Sequence, residues 1–198
     1  MASTSIYKIA EKVRDILQKG NLEAIISSCI DCYAIVAKNQ FYENKKDGVG
    51  EVDGVFIYNF GKTEPLAPTL DVSTDMYYIV IPSSYLRLPC EYGINSVSFL
   101  KGQTKPFVRV GAGSVGMWVN LKANCLGGHQ TYFVEGTQMF FPKMTASTKG
   151  NMMLKLTVAL DTIDPEQDLN IPPDVAGMIV DMVVEKYRGK PEVKPETL

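Results

Sequence analysis

The sequence predicts an α+β fold on three observations. Apolar residues recur at three- and four-residue steps over the first 46 residues. Between residues 52 and 160 the period falls to two, and β-branched and aromatic residues gather in short runs between Gly, Pro and Asn. The helical period returns over residues 172–188. The expected architecture is a single domain with an N-terminal helical hairpin (1–46), a central antiparallel β-sandwich or barrel-like body (52–160), a closing C-terminal helix (172–188) and a flexible polar arm (189–198).

The first helix is predicted from Ser3 to about Lys19. Ile6, Ile9, Ala10, Val13, Ile16 and Leu17 line one face, Ser3 or Thr4 caps the start, and Gly20 stops it. The second runs from Leu22 to Asn44, with Ile25, Ile26, Cys29, Ile30, Tyr33, Val36, Ala37 and Phe41 at the same period. The linker at Gly20-Asn21 is short, so the two helices are expected to be neighbours.

Eight strand-like runs follow: Val55–Phe60, Met76–Ile81, Ser96–Leu100, Phe107–Val110, Gly116–Leu121, Gln130–Val134, Thr137–Phe141 and Met152–Leu160. Glu135-Gly136 reads as a tight hairpin turn. The stretch Pro82–Pro89 has proline at both ends and should leave the sheet. Short strands without intervening helical patterns favour antiparallel pairing over a parallel βαβ sheet. The last helix opens on Pro172 and Pro173, which its first turn tolerates, with Asp174 suited to the positive N-terminus. Val175, Ile179, Met182, Val183 and Tyr187 form its apolar stripe.

The 198-residue chain is 45% hydrophobic and 21% charged, which excludes a chain disordered throughout. A net charge of −2 leaves no chain-wide basic footprint for nucleic acid. No run approaches a membrane span and no signal-peptide core is expected, so a protein made in a reducing cytoplasm with four free thiols is anticipated. Cys29 and Cys32 form a Cys-x-x-Cys pair on a helical stretch, where packing explains them better than zinc or redox chemistry. The remaining thiols are Cys90 and Cys125, and the one histidine is His129.

Gly111-Ala-Gly-Ser-Val-Gly116 matches the dinucleotide fingerprint in letters and follows a strand, with Glu135 near the expected distance. The fingerprint requires a helix next, and Met117-Trp-Val-Asn-Leu121 favours a strand, so a loop between strands is expected. Ser114 is not in a Gly-x-Ser-x-Gly elbow, and no spacing links it or Cys125 to His129, Glu135 or Asp161. The scattered acids Asp71, Asp75 and Glu91 suggest no catalytic pair. The run Asp161, Asp164, Glu166, Asp168 lacks the order of a calcium loop and reads as an exposed connector. Lys101, Lys105 and Arg109 make at most a small solvated rim.

Certain residues, in their order, carry a resemblance: Met76–Pro82, Tyr85-Leu-Arg-Leu-Pro89, Gly93-Ile-Asn-Ser-Val97, the late hairpin Thr131–Phe141, and Ile171-Pro-Pro-Asp174 leading into Met178–Tyr187. This order resembles the ring proteins (tail adaptors) at the head–tail junction of crAss-like short-tailed bacteriophages. The resemblance covers most of the chain and implies a non-enzymatic virion structural protein with no cofactor and no catalytic or metal-binding residue. It implies assembly in the cytoplasm of a bacterial host into a cyclic homo-oligomeric ring, with the portal or neighbouring tail ring proteins as partners. DNA would pass through the lumen without sequence-specific binding, and no membrane is involved.

The competing class is a β-sandwich ligand-binding module of carbohydrate type, for which Trp118, Tyr132 and Phe133 are the candidate groove aromatics. A nucleotide-dependent oxidoreductase survives only through the glycine loop. The expected interface lies on the arm: Gly189, Pro191, Val193, Pro195 and Leu198, with Val193 and Leu198 as apolar anchors and the prolines reducing the entropy lost on docking.

Overall fold

The computed structural model describes residues 4–48, 52–62, 64–101, 106–115, 129–161, 163–167, 169 and 171–189. These form an α+β fold in two compact units, residues 1–56 with 158–198, and residues 57–157.

The first unit is helical and draws on both ends of the chain. Helix α1 spans Ile6–Leu17 and buries Ile6, Ile9, Ala10 and Val13. Its cap is Ser5, one or two residues later than expected, because the Ser5 side chain accepts from the Lys8 amide. Thr4 instead bridges to Leu169 through backbone hydrogen bonds of 3.0 and 3.1 Å. The helix ends in a left-handed Gln18 (φ 53°), whose N–H returns to the Arg14 carbonyl. The chain direction then turns by 116° into α2, Leu22–Lys46, capped by Asn21. Helix α3, Pro173–Arg188, packs against both α1 and α2. The expected closing stripe is present but wider. Val175, Ile179, Val180, Val183 and Val184 are buried, whereas Met182 and Tyr187 are half-buried. A helix touching two others needs a broader apolar face than one seam provides. No single helix among the described residues is long and apolar enough to cross a membrane.

The second unit holds two sheets. Strands β1 (Ile57–Phe60), β8 (Met152–Thr157) and β4 (Ile94–Phe99) form one, in the order β1-β8-β4. Strands β2 (Thr69–Asp71), β3 (Met76–Val80), β7 (Gln138–Phe141), β6 (Thr131–Glu135) and β5 (Val108–Arg109) form the other, in the order β2-β3-β7-β6-β5. No closed barrel forms among the described residues, so the barrel-like alternative is set aside. A common core holds Ile94, Val97, Met152, Leu154 and Leu156 of the smaller sheet with Tyr77, Ile79, Tyr132, Met139 and Phe141 of the larger.

Alternation explains which residues face inward. Met152, Leu154 and Leu156 are fully buried on the central strand β8, while Lys155 between them is exposed. In β4 the inward residues Ile94 and Val97 are three apart, and a bulge between Ile94 and Ser96 restores the register against Leu156 and Leu154.

The expectation of wholly antiparallel pairing is corrected at one edge, where β5 runs parallel to β6. Parallel neighbours need a long crossover, and residues 110–130 are long enough to supply one. The expected β6–β7 hairpin is present, with Glu135 opposite Gln138 and Gly136 at φ 61° in its turn. The run Gly116–Leu121 lies outside the described residues. Strand β2 carries little alternation and was not expected from the sequence.

Candidate interaction site

Helix α3 antiparallel to α2 creates the most distinctive surface of the helical unit. Near the C-terminal end of α3, Lys186 Nζ lies 3.3 Å from Ser28 Oγ and 3.6 Å from Asp31 Oδ2 on the first half of α2. The N-terminal half of α3 therefore meets the second half of α2. There a groove of about 500 Å³ opens, in which Met178 and Met182 present apolar surface over the buried Val36, Phe56 and Val175, beside the polar Asn39 and Gln40. Its rim carries Glu43, Asp174 and Asp181, three exposed carboxylates, and among the described residues no lysine or arginine lines it. Met178, 54% exposed, adds an apolar edge. The groove is thus mixed, with two methionines, two amides and three carboxylates around it.

The end of α3 decides where the arm starts. Gly189 has right-handed helical angles (φ −75°, ψ −11°), and its N–H bonds to the Glu185 carbonyl at 3.0 Å. The chain thus leaves α3 without the left-handed reversal that ends α1. Of the expected interface residues, Gly189 is exposed at this exit. Pro191, Val193, Pro195 and Leu198 lie outside the described residues.

The other candidates are dispersed. Cys29 and Cys32 are both buried on α2. Burial, reinforced by the neighbouring Cys32 and opposed by Lys186, pushes the Cys29 thiol from 9.0 up to about 12, and burial also raises Cys32. Both therefore stay protonated, poor nucleophiles and poor metal ligands at neutral pH. Cys90 is exposed, and Cys125 lies outside the described residues. No group of three or more His, Cys, Asp or Glu among the described residues is placed to hold a metal ion.

After β5 the glycine loop makes a single 3₁₀ turn, Ala112–Ser114, with the Ser114 hydroxyl donating to the Gly111 carbonyl at 3.0 Å. Gly116 and Trp118 lie outside the described residues, as do Lys105 and Asp168. Asp164 accepts from the Glu166 amide in a local turn, and Asp161 and Glu166 are exposed. Lys101 lines a cavity with Lys149, while Arg109 donates to the Cys90 carbonyl. Tyr132 and Phe133 are adjacent on β6, point to opposite faces and are 5% exposed each. They therefore do not combine into an exposed aromatic platform.

One constellation escaped the sequence reading, the turn Leu88–Gly93. Cys90 and Glu91 both sit in the left-handed region (φ 55° and 57°), an unfavourable conformation for residues other than glycine. Tyr85 Oη donates to Glu91 Oε2 at 2.9 Å, and Arg109 holds the Cys90 carbonyl from the outside. Burial, then the negative Glu91, drives the Tyr85 phenol far up, and burial lifts Tyr132 to about 12. Both phenols remain protonated at neutral pH, and the Tyr85 hydroxyl serves as the donor that clamps the turn. The flanking Pro89 and Gly93 were its only sequence signal.

No protein-family model and no curated protein matches this chain.

Proposed function

We propose that this chain is a non-enzymatic ring subunit of the head–tail junction of a short-tailed bacteriophage of the crAss-like kind. In this role it resides in the virion, contacts copies of itself and the portal or a neighbouring tail ring, and surrounds a passage for DNA. The observation that carries the proposal is the exit of α3. Helix α3 ends at Gly189 in right-handed helical angles, without the left-handed reversal that ends α1, and the polar segment 190–198 follows it in the sequence. The resemblance in element order supports the same role.

Three further features suit it. Among the described residues β1, β2 and β5 are end strands of their sheets, and backbone groups on such strands can pair with a neighbour. Val72 and Val80, at 90% and 59% exposed, are apolar contacts a partner can cover. A net charge of −2 matches a lumen that lets phosphates slide without gripping them.

Light scattering and negative-stain imaging of the purified full chain test the proposal. The expected result is a closed ring with a central channel, alone or on addition of its cognate portal. A chain that stays monomeric at high concentration and binds no portal overturns it.

A further inference from the structure

We propose that residues 57–157 are a module inserted into the helical unit, and that the two open as separate cooperative steps. The helical unit can then release both ends of the chain while the sheets stay formed. This inference stands independently of the ring assignment.

Each unit carries its own core. All eight strands lie within 57–157, and among the described residues their ladders pair that stretch only with itself. The sheet core, from Tyr77 and Ile94 to Leu154 and Leu156, is drawn wholly from the same stretch. So is the smaller cluster of Val110, Phe133 and Phe140. In the helical unit α1, α2 and α3 each pack on the other two, with Val13, Ile25, Phe41 and Ile179 fully buried. About 100 residues on each side is enough for a domain to bury a core of its own.

The two ends of the module meet. The chain enters at Ile57 and leaves at Thr157, and these residues are partners in the β1–β8 ladder. One residue further out, the Val158 N–H donates to the Phe56 carbonyl at 3.3 Å. Paired antiparallel residues stand about 5 Å apart. The helical unit has only that gap to bridge, which is the condition under which inserted domains are tolerated. The boundary is sharp on the entry side. Phe56 packs on Tyr33 of α2 with ring centroids 5.1 Å apart, whereas Phe60 packs against the sheet core.

Both ends of the chain are tied inside the helical unit. Thr4 and Leu169 exchange backbone hydrogen bonds of 3.0 and 3.1 Å, and the Tyr7 N–H donates to the Pro165 carbonyl at 2.9 Å. The sheet ladders and their core are complete without any of these bonds. A chain built in this way opens by units, each held by the free energy of its own core.

Hydrogen exchange read by mass spectrometry on the full chain in increasing urea tests the proposal. Peptides from 6–17, 22–46 and 173–188 form the helical set, and those from 76–80, 131–141 and 152–157 the sheet set. Wild type should show one midpoint per set, or a shared midpoint that either variant below splits. Ile179→Ala should lower the helical midpoint by about 1 M urea and move the sheet midpoint less than half as far. Leu154→Ala should do the reverse. A variant that abolishes protection of its own set still reports, because the other set should stay protected. Either variant moving the other set half as far or more, or loss of protection across both sets when one core is broken, overturns the proposal.

Discussion

Tyr85 Oη donates to Glu91 Oε2 at 2.9 Å across a turn that holds two consecutive non-glycine residues, Cys90 and Glu91, at positive φ. Such backbone persists only where its surroundings over-determine it. Here the phenol fixes one side chain, and the Arg109 guanidinium fixes the Cys90 carbonyl. The turn is also crowded at its exit. A Cβ on Gly93 would collide with the Leu86 carbonyl and lie 2.7 Å from the Tyr85 ring.

Three substitutions should therefore separate clamp from strain. Tyr85→Phe leaves the half-buried Glu91 carboxylate without its donor and should lower stability by about 1–2 kcal/mol. Gly93→Ala should cost roughly 1–3 kcal/mol by overpacking. Cys90→Gly removes a left-handed Cβ at an exposed site and should be neutral or stabilising by up to about 1 kcal/mol. Denaturant midpoints check all three, and a strongly destabilised Cys90→Gly would contradict the assignment of strain.

The helical unit depends on the inner face of α3. Ile179 and Val183 are both fully buried. Replacing either with Asp places an unpaired carboxylate in the core and should cost at least about 3 kcal/mol. In the double variant the helical unit should lose its cooperative thermal transition. Met178→Asp, one residue away on the exposed face, should melt within a few degrees of wild type. Equal damage from both would mean that the burial of this face is misassigned.

The thiols make a chemical and a pH prediction. Cys90 should react rapidly with an alkylating reagent in the native protein, whereas Cys29 and Cys32 should react only after unfolding. Elemental analysis should find no stoichiometric zinc. Cys29 is raised from 9.0 to about 12, so the unfolded chain ionises first as pH rises. Its contribution to stability is complete below pH 9 and is lost between 9 and about 12. Tyr58 and Tyr132, raised from 10.0 to about 12 by burial, act in the same direction above pH 10. Unfolding free energy should accordingly fall with rising pH above about 9, and less steeply in Cys29→Ala. An unchanged slope in that variant would mean that Cys29 is not protected.

The parts legible in the sequence were those with long, regular periods. The three helices and the β6–β7 hairpin follow from periodicity, proline and glycine, because burial of one face dictates where apolar residues fall. Strand β2 was invisible because Thr69–Asp71 is three residues at an edge, too short to alternate. The parallel β5–β6 pair was missed because pairing direction depends on what the chain does between strands, which periodicity does not encode. The Cys90–Glu91 turn was missed because neither residue announces a left-handed backbone; side chains distant in sequence, Arg109 above all, hold it. Val36 and Met182 read as core residues, and only the antiparallel placement of α2 and α3 turns them into a groove.

The arm and the fold should separate cleanly. Truncation after Gly189 keeps the last α3 hydrogen bond, from the Gly189 amide to the Glu185 carbonyl. It also leaves every buried residue of α3 in place. The removed segment has only Val193 and Leu198 as bulky apolar groups, too little to contribute a core. The melting temperature of the truncated chain should therefore stay within a few degrees of wild type, whereas self-association or portal binding should weaken at least tenfold. Arm prolines lower the freedom lost on docking, so Pro191→Gly with Pro195→Gly should weaken association in the same direction but less than truncation. Sedimentation velocity and a thermal melt on each variant read the two effects independently. Normal assembly by the truncated chain would make the arm a passive extension and remove Pro191, Val193, Pro195 and Leu198 from the interface.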